Sequence, residues 1–164
     1  MKSKDLLILL GNQLFPLEEI KKLDINQIFM AEDYNLCTYE KHHKLKILMF
    51  LCAMREKRDE LVNNGFKVFY SELKSKDFFV SYEEKLKKFI TKNKIKHIKF
   101  FEIEDKFFEN RMKIFSEINN LEITFYKSPM FLESREEFAK YSKGKNSFSH
   151  ANFYKNIRKK LNIL

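Results

Sequence analysis

The stretch DLLILL, residues 5–10, constrains the fold more than any other part of the chain. An amphipathic helix or a half-exposed strand would interrupt such a run with polar residues. Unbroken and closed by Gly11-Asn12-Gln13, it suits a parallel strand buried on both faces. A strand of that kind needs helices on both sides and crossover connections, so strand must alternate with helix along the rest of the chain.

That alternation is present. Pro16 suits the first turn of a short helix over 16–22, and residues 27–32 (QIFMAE) form a second strand. A long helix is expected over 43–63, stopped by Asn64-Gly65. KVFY at 67–70 is a third strand. Ser81 with Glu84 matches a capping box that opens a helix running to Asn93. HIKFF at 97–101, a helix over 104–118 and EITFY at 122–126 complete five strands. Beyond Pro129, Ser134 with Glu137 opens a short helix ended by Gly144, and 151–161 is a last, basic helix. The pattern predicts an α/β fold, a doubly wound five-stranded parallel sheet of Rossmann-like type followed by C-terminal helices. The 164 residues are expected to form one domain, with a sheet core over about 1–130 and a basic helical tail over 131–164.

Composition narrows the class. With 3 Gly and 2 Pro the chain is neither collagenous nor low in complexity. No run approaches the length of a membrane span, and MKSKDLLILLGNQ lacks a small-residue cleavage site, so a cytoplasmic protein is expected. Cys37 and Cys52 are too few for a disulfide framework, and Cys52, inside an apolar run, is expected to be a small core residue. The net charge is +9, and seven positive charges with no negative one follow Glu137. These are Lys140, Lys143, Lys145, Lys155, Arg158, Lys159 and Lys160. They point to an anionic partner or a docking surface. Lysine lacks the planar fork of arginine, so they argue little for base reading.

Ligands of doubly wound sheets sit outside the carboxyl ends of the strands, at the switch point. Residues 11–14 and 32–39 fall there, next to TYEKHHKLKI at the start of the long helix. His42 and His43 lie on different faces, and no Cys/His/Asp set completes a tetrahedron. One is expected to face the pocket or the docking rim and the other solvent, and neither to bind metal. The cationic stretch from His43 to Lys46 opposes the helix dipole, so either an acidic group or anion sits opposite or the cluster is solvated. Glu32 either accepts hydrogen bonds from a heterocycle, or is a solvated strand-end acid, or pairs with these lysines. Leu45, Leu48 and Cys52, with Ile47, Leu51 and Met54, cover most of the helix circumference, which predicts packing between the sheet and something else. No GxGxxG, GxxxxGK[ST] or nucleophile elbow is present.

Taken in order, LILLGNQL, FMAED, TYEKHHKLKILMFLCAMREKRDEL and FLESREEFAKYSKGKNSFSHANFYKNIRKKLNIL resemble the N-terminal domain of the iron–sulfur bacterial cryptochromes and photolyases, the deoxyribodipyrimidine photolyase-related proteins. The resemblance runs through nearly the whole chain. It implies an antenna domain that holds 6,7-dimethyl-8-ribityllumazine and precedes a helical domain carrying FAD and a 4Fe-4S cluster, which repairs (6-4) lesions in DNA under light or senses blue light. This chain is expected to supply the antenna half, without turnover of its own and with no metal site. By motif, the implied pocket residues are Gly11, Asn12, Gln13 and Leu14, then Glu32, Leu36 and Tyr39, then His43, Ile47 and Phe50. Asn12 stands where the family usually has Asp. Lys155, Arg158, Lys159 and Lys160 are implied to dock on the helical domain or, in the rival reading, to bind nucleic acid as a stand-alone nucleotide- or RNA-binding module. Phe153, Ile157 and Leu161 recur at helical spacing beside them and favour docking.

Overall fold

The computed structural model describes residues 5–74, 76–77 and 79–163, without the side chain of Leu36. Five strands, β1 (Asp5–Ile8), β2 (Gln27–Ala31), β3 (Lys67–Ser71), β4 (His97–Phe101) and β5 (Glu122–Tyr126), form one parallel sheet in the order β3-β2-β1-β4-β5. β1 is central, pairing Leu7 with Ile28 of β2 and Leu6 with Ile98 of β4. The expected doubly wound sheet is therefore what forms, with its switch point between β1 and β4.

Alternation along β1 divides its apolar run between two cores. Leu6, Ile8 and Leu10 pack with α4 (Tyr82–Asn93) and α5 (Lys106–Ile118) through Leu86, Ile90, Met112 and Phe115. Leu7 and Leu9 pack on the other face with Ile20 of α1 (Leu17–Lys21) and with Met54 and Leu61 of α3 (Lys44–Asn63). Regular pairing stops at Ile8, yet Leu9 and Leu10 remain buried, so the whole run is interior.

The helix boundaries follow the capping chemistry. Ser81 and Glu84 form the capping box at α4 in both directions. α5 begins two residues later than its apolar pattern suggests, because the Asp105 carboxylate accepts from the N–H groups of Phe107 and Phe108. Gly65, at φ +85°, takes the left-handed conformation that ends α3. One short helix, α2 (Tyr34–Thr38), was not expected. DYNLCT is too short to display a helical period, but it contains no Gly or Pro to break the turn.

The chain divides into two compact units, one through Lys127 and one from Ser128. The second contains α6 (Arg135–Ser142), opened by the Ser134–Glu137 capping box, and α7 (His150–Leu161). Phe153 of α7 meets Phe138 edge-on at 5.2 Å and Tyr141 at 5.0 Å, so the apolar stripe of α7 packs against α6. No helix among the described residues is long and apolar enough to cross a membrane.

α3 corrects one expectation. Its Met54 and Leu61 side chains are buried, but Leu45, Leu48 and Met49 are exposed, and so is Cys52. Cys52 is not a core residue: apolar residues occupy both sides of the helix, and the sheet covers only the side that carries Met54 and Leu61.

Candidate functional site

A cavity of about 370 Å³ opens at the carboxyl ends of the strands. Its walls come from Leu10, Gly11 and Asn12 after β1, and from Ala31, Glu32 and Asp33 at the end of β2. Ile103, Asp105 and Phe108 follow β4, Tyr82 opens α4, and Ile47, Phe50, Leu51 and Met54 project from α3. Both faces of the sheet thus contribute, as expected where the winding direction switches. Another groove, of about 440 Å³, lies at the amino ends of β4 and β5, lined by Lys87, Ile90, Thr91, Lys94, Ile95, Lys96, Phe115, Asn119 and Leu121. It lacks the convergent carboxylates and tyrosines of the first.

Of the ten residues expected to build a pocket, Gly11, Asn12, Glu32, Tyr39, Ile47 and Phe50 line this cavity. Phe50 forms part of the wall and leaves the space open. The Leu36 side chain lies outside the described residues. Gln13, Leu14 and His43 stand outside the lining. Gln13 is fully buried, and its amide donates to the Glu102 carbonyl at 2.8 Å and to the Glu104 carboxylate at 3.2 Å. It staples the loop after β1 to the loop after β4. Asn12 donates to the same carboxylate at 3.0 Å, so an aspartate at this position would face Glu104 as a like charge.

The two histidines divide their work. His43 is the N-cap of α3, its Nδ1 accepting from the Leu45 N–H at 3.2 Å. His42 lines the cavity together with Lys46 and meets the Tyr39 ring edge-on at 5.8 Å. The cationic start of α3 therefore forms part of the cavity wall. Among the described residues, no three or more His, Cys, Asp or Glu side chains converge as metal ligands would.

Glu32 does not pair with the lysines. Its side chain is fully buried, and Arg55 grips it with Nε at 2.7 Å and Nη2 at 3.0 Å. The Tyr70 hydroxyl and the Leu73 N–H each donate to it at 2.8 Å. A carboxylate offers about four acceptor positions, and all are spent within the protein. Burial pushes the Glu32 carboxyl pKa upward, but the bonds from Arg55, Leu73 and Tyr70 outweigh it and hold the pKa below the usual value. Burial, followed by the Glu32 bond, raises the Tyr70 phenol. Glu32 thus holds the end of β2, α3 and the strand β3 in register.

Gly11 owes its identity to close approach. A Cβ there would meet the Met54 sulfur at 2.8 Å, so the loop after β1 lies directly against α3. Cys37 also lines the cavity, and its thiol pKa is raised by burial and then by the charges of Asp33 and Glu32, which keeps it protonated and unreactive at neutral pH.

Asp33, Lys85, Tyr82, Asp105 and Arg55 were not singled out from the sequence. Lys85 is buried, donates to the Glu32 carbonyl at 2.9 Å and lies 3.8 Å from Asp33. The alternation of Lys and Glu along α4 looks like a solvated face, and nothing local reveals that Lys85 turns inward. For Tyr82 a weak signal existed: a large aromatic directly after the Ser81 N-cap.

A doubly wound α/β domain with its cavity at the switch point is a ligand-binding class of fold. The chain belongs to the deoxyribodipyrimidine photo-lyase-related protein family, whose model matches residues 7–164. It is 27% identical over 162 residues to a (6-4) photolyase of Agrobacterium fabrum. That match covers 97% of this chain and 32% of the relative, so the chain spans about a third of that protein's length.

Proposed function

We propose that this chain is the antenna-chromophore domain of a photolyase-related protein, holding a ribityllumazine in the switch-point cavity. The observation that carries the reading is the open cavity itself, of about 370 Å³, walled by six of the ten residues the family motif implies. The size lies within the range of about 300–1,000 Å³ usual for small-molecule sites. Tyr39, Phe50 and Ile47 supply surfaces for a flat ring, and buried polar groups lie within the same walls. When bound, such a chromophore would supply light absorption. The residues of this chain bind it, orient it and exclude water.

The match to about a third of a (6-4) photolyase's length supports a partner. A helical domain carrying FAD and an iron–sulfur cluster would perform light-dependent DNA repair or blue-light sensing in the cytoplasm, and this chain would dock on it. The two cysteines of this chain cannot supply the four thiolates of a cluster. The exposed Leu45, Leu48 and Met49 of α3 offer an apolar surface for such docking. The basic α7 offers Lys155, Arg158 and Lys159, whereas Lys160 is already paired with Glu133 at 2.9 Å and with Glu137. That pairing, together with the packed stripe of α7, weighs against a nucleic-acid platform.

Reconstitution with ribityllumazine tests the reading. Near-ultraviolet to blue absorbance should survive desalting in the wild-type chain and be lost in Phe50→Trp, whose larger ring intrudes on the cavity. A wild-type chain that retains no ribityllumazine would exclude the antenna role.

A further inference from the structure

Tyr82 is buried at 3% exposure, and its hydroxyl has no hydrogen-bond partner among the described residues, although the residue lines the cavity. A buried hydroxyl without a partner is destabilising, so each one in a native protein calls for an explanation, and a ligand that completes the bond is one. The ring is fixed: Phe108 meets it edge-on at 5.4 Å and Phe29 edge-on at 6.1 Å. The capping box at Ser81 and Glu84 fixes the first helical turn that bears it. The hydroxyl is therefore held in place with its hydrogen-bonding capacity unspent.

Asp33 lines the same cavity from the end of β2. Its side chain and that of Lys85 are each 2% exposed, and the two lie 3.8 Å apart. Lys85, bonded to the Glu32 carbonyl, places its ammonium beside that carboxylate. Burial and the nearby Asp33 charge both raise the Tyr82 phenol, so it remains a neutral donor at any physiological pH.

We propose that the Tyr82 hydroxyl and the Asp33 carboxylate form a recognition pair in the cavity for an uncharged ligand group carrying a hydrogen-bond acceptor and a donor side by side. This rests on reading the cavity as a chromophore site, and it names what in the chromophore the protein selects. Tyr82 donates to the acceptor, and Asp33, which can only accept, takes the donor. Two chemistries match: the O=C–N–H edge of a pyrimidine-type ring, and two neighbouring hydroxyls of a sugar alcohol chain. A phosphate does not match, because it brings only acceptors to a carboxylate. The lysine of the cavity wall, Lys46, comes instead from the first turn of α3.

The test compares the wild-type chain with Tyr82→Phe and Asp33→Asn, titrated with ribityllumazine and with 6,7-dimethyllumazine, which has the ring edge but no ribityl chain. Tyr82→Phe should leave the unliganded protein as stable as wild type in urea, since the hydroxyl it removes is unpaired. It should weaken ribityllumazine binding by about tenfold, the usual worth of one buried hydrogen bond. Loss of affinity for both ligands assigns the pair to the ring edge, and loss for ribityllumazine alone assigns it to the chain; either supports the pair. Unchanged affinity in Tyr82→Phe would overturn the pair while leaving the antenna reading intact. A clear loss of stability in unliganded Tyr82→Phe would overturn it as well, by showing that the hydroxyl has a structural partner. A wild-type chain that binds neither compound would bring down both the antenna reading and the pair.

Discussion

Replacing Arg55 by Ala would expose how much of the site's architecture depends on one buried carboxylate. The substitution removes both bonds to Glu32, at 2.7 and 3.0 Å, and leaves that fully buried side chain held only by Tyr70 and Leu73. Breaking a fully buried ion pair costs about 3–5 kcal/mol. Here the Arg55 side chain is 37% exposed, so water can reach the vacated position, and a loss of about 2–3 kcal/mol at pH 7 is expected. The pH dependence identifies the cause. In wild type the Glu32 pKa is depressed, so its stabilisation is complete above the ordinary carboxyl value of about 4.3 and is lost as pH falls through the lower folded value. In the variant the main opposition to burial is gone and the folded pKa rises above the unfolded one. Protonation on acidification then relieves the penalty. The stability gap between the proteins should be widest at pH 7 and narrow towards pH 4. Urea denaturation followed by far-ultraviolet circular dichroism at both values measures it. An equal gap at the two pH values would refute the electrostatic reasoning and assign the loss to packing of the Arg55 stem.

Gly11→Ala should cost less than about 1 kcal/mol in urea, because the atom it meets is the far end of a flexible Met54 side chain, but the displaced Met54 should reduce chromophore retention. Asn12→Asp places a carboxylate where an amide now donates to Glu104 at 3.0 Å. It should lower the melting temperature at pH 7, with recovery in 1 M salt, where the Debye length is about 3 Å. Ser81→Ala removes half of the α4 capping box and should destabilise the protein by about 1 kcal/mol in chemical denaturation. Because α4 carries Tyr82 and Lys85 into the site, ribityllumazine affinity should fall with it.

What was legible in the sequence was what depends on neighbours along the chain. DLLILL announced a strand buried on both faces, and the two Ser-x-x-Glu boxes announced helix starts, because a strand's period and a cap's hydrogen bonds both act within a few residues. The position of the cavity was legible for a related reason: strand order and right-handed crossovers force the ends of β1 and β2 onto one rim. Its polar content was not. Arg55 sits 23 residues from Glu32, and Lys85 lies 53 residues from the carbonyl it meets, so only the completed sheet joins them. In sequence, Lys85 is one of several lysines on a charged helix. Its burial follows from α4 crossing the end of β2, where a backbone carbonyl and a carboxylate await it. Cys52 failed in the opposite direction. An apolar run shows that a helix can be covered on every side, but not that it is. With Leu45, Leu48, Met49 and Cys52 exposed along one side of α3, and Ile47, Phe50, Leu51 and Met54 lining the cavity, a single helix presents one surface to the cavity and another to solvent. If a partner covers the exposed side, its docking bears on the same rigid element that forms the cavity wall. Chromophore binding and docking would then use opposite sides of α3, and Leu48→Asp should weaken docking while sparing ribityllumazine binding.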